Sequence, residues 1–354
     1  MQRHFTPENK LHSILMSENN LSKSAIFASI LVILVVAAWE IKLRTDGIRI
    51  SYDDGPPLWA DKRAMVYAPK DQAVVFIGSS RIKYALDIPS WEKTTGCQAI
   101  QLAVEGSSPR PALEDLANDP NFKGRLVIDI TEGLFFSNDE NATTKNIKHF
   151  HDRTPAQRAG FQLNKILESG LVFLDKESFS LNAKLDALEI PSREGVFMMP
   201  IFPLDFGRTS FERQARMTDR FVTDTSIQNK VKSIWYFFYQ FEKMAPPMQD
   251  SMVNIVLESV KTSTDKIKAR GGEIMFVRTP STNYPGEEMY PRERFWDRLL
   301  AYTNCPGIHY ADYPELKQLV CPELSHLNPT DAAVFTHKLI EVLEQEKGWK
   351  FPHQ

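Results

Sequence analysis

Two short segments near opposite ends of the chain carry the residue types that nucleophilic acyl chemistry requires. One is Gly78-Ser79-Ser80-Arg81; the other is Glu323-Leu324-Ser325-His326, followed by Leu327-Asn328-Pro329. A serine hydroxyl is a poor nucleophile until a base takes its proton, and the base must be held in one tautomer by a carboxylate. Ser80 supplies the hydroxyl and His326 the base. Glu323 stands three residues before His326, where a turn brings its carboxylate to the imidazole Nδ1. Each segment alone has a plainer reading: a serine that caps the next helix, and a loop histidine that faces solvent. Asp312 is a second candidate for the orienting acid.

The elements around these segments are those that position reacting groups in α/β proteins. Ala73-Val74-Val75-Phe76-Ile77 predicts a buried strand ended by Gly78, so Ser80 falls at a strand's carboxyl end, where ligands collect in open sheets. Gly78 allows a sharp bend and close approach. Further strands are expected at Ala99–Ala103, Arg125–Ile130, Glu273–Val277 and Gly307–Tyr310. Helices are expected at Ser90–Thr95, Pro109–Asn118, Met252–Arg270 and Thr330–Gln345, and across Arg292–Trp296. Asn328 is a good N-cap and Pro329 suits the first helical position, which puts His326 on a loop two residues before the last helix. Strands separated by helices imply parallel pairing with right-handed crossovers, hence a three-layer helix–sheet–helix sandwich. Residues 137–245 break the rhythm and predict a helical insertion. Its aromatic residues, Phe202, Phe206 and Trp235 to Tyr239, either pack against the sheet edge or form a lid or docking surface.

The order of these blocks resembles the SGNH (GDSL-type) hydrolase superfamily, in the variant of the D-alanyl-lipoteichoic acid assembly protein and related polysaccharide-acylation proteins. The resemblance spans about Asp71 to Leu343 and implies a flavodoxin-like parallel sheet. It makes Ser80 the nucleophile, His326 the base and Glu323 the acid, in a place where aspartate is usual. Gly106, after the second strand, corresponds to the oxyanion-hole glycine, so the hole would rest on the N–H groups of Ser80 and Gly106. The family's G-x-N-D block is missing: after Ile130 the chain reads Thr131-Glu132-Gly133-Leu134, without the asparagine donor. Losing one such donor costs roughly 3 kcal/mol. The implied activity is transfer or removal of an acyl group on a cell-surface or secreted polysaccharide, with no cofactor and no metal. The implied partner is a polytopic membrane-bound O-acyltransferase. A non-catalytic accessory protein on the same scaffold is the other class that these blocks allow.

Three flanking features complete the reading. Arg278 ends the fourth strand beside Ser80 and either binds a phosphate or carboxylate or pairs with Glu287 or Glu288. Arg81 and Lys83 either attract an anionic polymer or are simply solvated. Cys305 and Cys321 either pair in an oxidising compartment or stay free; three cysteines make no disulfide scaffold.

Composition bounds the rest. The 354 residues are 42% hydrophobic and 25% charged with a net charge of −3, which fits a globular chain and gives no positive field for nucleic acid. The break in composition is Ala25–Trp39, AIFASILVILVVAAW, uncharged and flanked by Lys23, Lys42 and Arg44. It predicts a transmembrane signal anchor over residues 24–41, slightly short of the ~20 residues a bilayer asks for. Residues 1–23 would then be a cytoplasmic tail, 42–70 a linker or entry loop, and 71–354 an extracytoplasmic or periplasmic domain on the inner membrane. A cleaved signal peptide, with Val36-Ala37-Ala38 at the cleavage site, and a buried core helix are the alternatives.

Overall fold

A computed structural model describes residues 7–137, 142–186, 188 and 199–353. The body is an α/β fold built on a parallel sheet. Its strands are β1 (Ala73–Ile77), β2 (Gln98–Gln101), β3 (Arg125–Asp129), β6 (Glu273–Arg278) and β7 (Gly307–His309), in the order β2-β1-β3-β6-β7. Two further strands, β4 (Arg208–Thr209) and β5 (Ala215–Arg216), form a small antiparallel ribbon. In the parallel sheet Val75 sits beside Leu126, Ile128 beside Phe276, and Val277 beside Ile308.

Continuous apolar runs suit these strands because both faces of the sheet are covered. Val75, Ile77, Leu126, Ile128, Ile274 and Phe276 enter one core, shared with helices Arg110–Asn118 and Asp250–Ala269. Their neighbours in the pleat, Val74, Phe76, Val127, Met275 and Val277, enter a second core with helices Ser80–Ala85, Ile88–Thr95 and Pro329–Gln345. The strand order fixes where a site can form. The chain leaves β1 for β2 on one side, then crosses back to β3 on the other. The loops after β1 and β3 therefore diverge and open a crevice at the carboxyl edge.

The N-terminal helix runs over Pro7–Thr45, beyond the expected 24–41. Within it Leu21–Thr45 is long and apolar enough to cross a membrane, and its most apolar 18 residues have a mean hydropathy of 2.3 and are only 6% buried. The helix continues to Thr45 because no glycine or proline interrupts it before Gly47, and Lys42 and Arg44 favour its carboxyl end. Its last turns are fixed to the body. Trp39 stacks on Phe173 at 5.5 Å, Glu40 accepts from the Val172 and Phe173 amides, and Arg44 donates to the Gly170 carbonyl.

Within residues 42–70, where a linker or entry loop was expected, residues 42–45 end the N-terminal helix and residues 56–63 form a helix of the body. Pro56–Arg63 is a helix, Trp59 is buried in the first core, and its indole N–H donates to the Leu102 carbonyl at 2.9 Å. The two prolines occupy the first turn of that helix. Arg63 is buried because Asp115 and Asp119 meet it at 2.7 and 2.9 Å, partners more than fifty positions away. Arg292–Phe295 is likewise a turn closed on the Pro291 carbonyl, and the helix begins at Trp296. Within the insertion, Thr225–Met244 is a long helix that buries Ile227, Val231 and Ile234. Residues 138–141, 187 and 189–198 of the insertion lie outside the described residues.

Candidate active site

The turn after β1 divides two roles between two adjacent serines. Ser79 is the N-cap: its hydroxyl accepts from the Arg81 amide at 3.3 Å and lies 2.8 Å from Thr131 Oγ1. Ser80 is the first residue of the following helix, and its Oγ is left for His326. The turn needs glycine at 78. A Cβ there would stand 2.6 Å from the Asp129 Cβ and 2.7 Å from Ile82 Cγ2, closer than real Cβ contacts allow.

His326 and Glu323 arrive from the loop before the Pro329–Gln345 helix. Asn328 caps that helix by accepting from the Thr330 and Asp331 amides. Leu324 adopts φ +84, a tight left-handed step that folds Glu323 back onto the imidazole. The loop is held to the sheet from outside: Thr282 N–H donates to the Leu324 carbonyl, and Thr282 Oγ1 accepts from the Cys321 amide.

These two segments, 246 positions apart, meet in a continuous hydrogen-bonded chain. His326 Nε2 lies 2.7 Å from Ser80 Oγ, and His326 Nδ1 lies 2.9 Å from Glu323 Oε1. Both side chains are almost wholly buried. Glu323 Oε1 also accepts from the amides of His326 (2.5 Å) and Ser325 (3.3 Å), while Oε2 accepts from the Trp235 indole N–H at 2.5 Å. A carboxylate oxygen is acceptor only, so Nδ1 must carry the proton, leaving the Nε2 lone pair toward the serine. Asp312 does not take part: it binds Arg292 at 2.5 and 2.8 Å.

The Ser80 hydroxyl faces a cavity of about 610 Å³, within the range of ligand sites. His326 forms part of its wall, ringed by Tyr84, Phe206 and Trp235 with centroids 4.7, 5.4 and 5.9 Å away. The insertion therefore does more than cover a sheet edge, since Phe206 and Trp235 come from it. Gly106 lines the same cavity at φ +59, a conformation that favours glycine. Ser80, as the first helical residue, has an amide N–H without an intrahelical acceptor. Thr131 also lines this cavity, and its hydroxyl is engaged with Ser79.

The three basic residues near Ser80 are all buried and paired. Arg278 meets Glu132 at 3.0 Å and Glu287 at 2.7 Å; Arg81 reaches Glu287 at 3.3 Å, donates to Ser325 Oγ and lies over the Tyr284 ring. Burial raises the Glu287 carboxyl, but Arg278 and Arg81 outweigh it and hold the group below its usual range. Lys83 is neither solvated nor free: Asp54 at 2.5 Å and Glu105 at 2.9 Å enclose it. Arg81 and Arg278 thus organise the floor of the site and present no spare positive charge. Glu287 is one of the two partners expected for Arg278, whereas Glu132 was missed because it lies 146 positions away and only the strand order brings it near. Asp129, at the end of β3, was also missed. It accepts from Thr279 Oγ1 at 2.9 Å, and full burial pushes its carboxyl above the usual range against the opposing pull of Thr279, Arg81 and Arg278. A signal for Asp129 was present: an acid ending an otherwise apolar strand. Trp235 offered none beyond its place in an aromatic run.

Cys305 and Cys321 are both free and buried in different cores, on opposite faces of the sheet. No model of a known protein family matches the chain, and comparison with curated proteins finds no match either.

Proposed function

We propose that this chain is a membrane-anchored, serine-dependent acyl-transfer protein with an SGNH-type, flavodoxin-like helix–sheet–helix sandwich, acting on a cell-surface or secreted polysaccharide. The observation that carries the reading is the unbroken chain from Ser80 Oγ through His326 to Glu323, opening on a cavity. Ser80 gives its proton to His326 Nε2 as Oγ attacks the donor's acyl carbon. The carbonyl electrons collect on an oxyanion at the N–H groups of Ser80 and Gly106. Collapse expels the donor oxygen, which takes the proton from Nε2, and an ester on Ser80 remains. A sugar hydroxyl, or water in the hydrolytic direction, then gives its proton to Nε2 and attacks the ester carbon; the bond to Ser80 Oγ breaks, and Oγ takes the proton back from Nε2. Glu323 orients the imidazole and stabilises it when protonated. Preorganised donors at an oxyanion contribute about 3 kcal/mol each.

The apolar N-terminal helix supports an anchor in the cytoplasmic membrane with the domain on the extracytoplasmic side. There a polytopic membrane-bound O-acyltransferase would supply the acyl group. A non-catalytic accessory role is the second reading, favoured by the missing asparagine donor after Ile130 and by the large aromatic insertion. A fluorophosphonate probe separates the two. The wild type should be labelled and Ser80→Ala should not; no labelling of the wild type would defeat the catalytic reading. Offering an activated acetyl ester with either water or a glycan as acceptor then tells esterase from transferase. Protease added to intact cells should digest the domain, and digestion only after lysis would overturn the proposed orientation.

A further inference from the structure

Among the described residues the catalytic cavity has no uncompensated positive charge. Its wall contains two arginines against four glutamates. Arg278 is spent on Glu132 and Glu287, and Arg81 shares Glu287. Lys83, behind the wall, is taken by Asp54 and Glu105. Glu242 stands apart from these pairs. Among the described residues its carboxyl meets one hydrogen-bond donor, the Tyr290 hydroxyl at 2.6 Å, and no cation. Burial, with Glu288 adding to it, pushes that carboxyl above its usual range despite the opposing Tyr290 bond.

Much of the remaining wall is aromatic. Trp235, Phe238 and Tyr284 line the cavity, Trp235 lying 5.7 Å from Tyr284 and 6.4 Å from Phe238. Such faces accept the C–H side of a sugar ring, while a carboxyl beside them accepts a ring hydroxyl. A carboxylate or phosphate brought into the same space would lose water and find no cation, at a cost that no other contact here offsets. The lack of a partner is itself the means of rejection.

We propose that the cavity takes an uncharged pyranose as the residue to be acylated, stacked on the Trp235 and Phe238 side with a hydroxyl donated to Glu242, and that it rejects uronate and phosphate-bearing sugars. This rests on the acyl-transfer reading of Ser80 for its meaning but makes a separate claim about binding.

The test is calorimetric titration of the full chain carrying Ser80→Ala, held in nanodiscs so that no sugar detergent competes. Neutral oligosaccharides of glucose, galactose, mannose and N-acetylglucosamine are compared with polyglucuronate and polygalacturonate oligomers. At least one neutral oligomer is expected to bind tenfold or more tightly than any uronate. Glu242→Gln should narrow that gap, with folding checked by circular dichroism; if that variant does not fold, the comparison of neutral with uronate oligomers on the Ser80→Ala chain still decides. Uronate binding equal to or tighter than neutral binding, or no neutral oligomer binding at all, would overturn the proposal. Fluorophosphonate labelling of the wild type is read separately. Neutral binding without labelling sinks the acyl-enzyme and keeps the subsite, and labelling with uronate preference does the reverse.

Discussion

Replacing Glu323 by glutamine tests the site at its most constrained point. Glu323 Oε1 receives three donors, the His326 amide, the Ser325 amide and His326 Nδ1–H, whereas Oε2 receives one, the Trp235 indole N–H. A glutamine side chain has one oxygen and one NH2. It will place the oxygen toward the three donors and leave its NH2 facing the indole N–H at a spacing of 2.5 Å, donor against donor. The imidazole tautomer is therefore kept, and the negative charge is lost. The distance from Nδ1 to Oε1 is 2.9 Å. At an effective dielectric near 20, losing the attraction between imidazolium and carboxylate costs about 4–6 kcal/mol. Each tenfold in rate corresponds to about 1.4 kcal/mol, so a slowing of at least a thousandfold is expected. The unsatisfied indole adds a folding cost of about 1–3 kcal/mol. The assay is the second-order rate of fluorophosphonate labelling, read beside urea unfolding. Adding Trp235→Phe removes the donor clash, so the double variant should regain stability without regaining rate. Labelling of Glu323→Gln within tenfold of wild type would refute the role given to the carboxylate. A double variant less stable than Glu323→Gln alone would refute the donor clash.

Other perturbations read different parts of the structure. Gly78→Ala forces a methyl group against the Asp129 Cβ and Ile82 Cγ2, so it should cost about 1–3 kcal/mol in urea unfolding and slow labelling of Ser80. Asp129 is raised in the folded state, so its protonated form is the one that favours folding. Stability from this group is full below the unfolded-state pKa near 3.8 and is lost as pH rises through the higher folded value. Asp129→Asn should therefore be more stable than wild type at neutral pH, with the difference shrinking as pH falls toward 4; an equal or larger difference at low pH would contradict this. All three thiols are free and buried, and burial, with Glu323 adding to it, pushes that of Cys321 up to about 12. Mass spectrometry should find slow alkylation of the native chain and three additions after denaturation without reductant. A Cys305–Cys321 disulfide would count against the separation of the two cores.

Much of this architecture was legible in the amino-acid order. The strand Ala73–Ile77 begins and ends where its apolar run does, and Asn328 and Pro329 start the last helix as their types require. Gly78, Ser80, Glu323 and His326 were readable because strand ends, caps and short turns are encoded within a few residues of one another. The linker expected over 42–70 failed for a related reason. Nothing nearby in sequence shows that Asp115 and Asp119 will neutralise Arg63, or that Trp59 of the same helix will be buried.

Sequence alone therefore determined the local conformations and the chemical types that stand at the sheet's carboxyl edge. Tertiary structure decided which charges cancel, which acid orients His326, and that Trp235 from the insertion secures that acid from 88 positions away. The physical reason is range. Caps and periodicity act within a turn or two of backbone, but the partner of a buried charge is chosen by strand order and by helix packing, and these bring together residues that no local pattern relates.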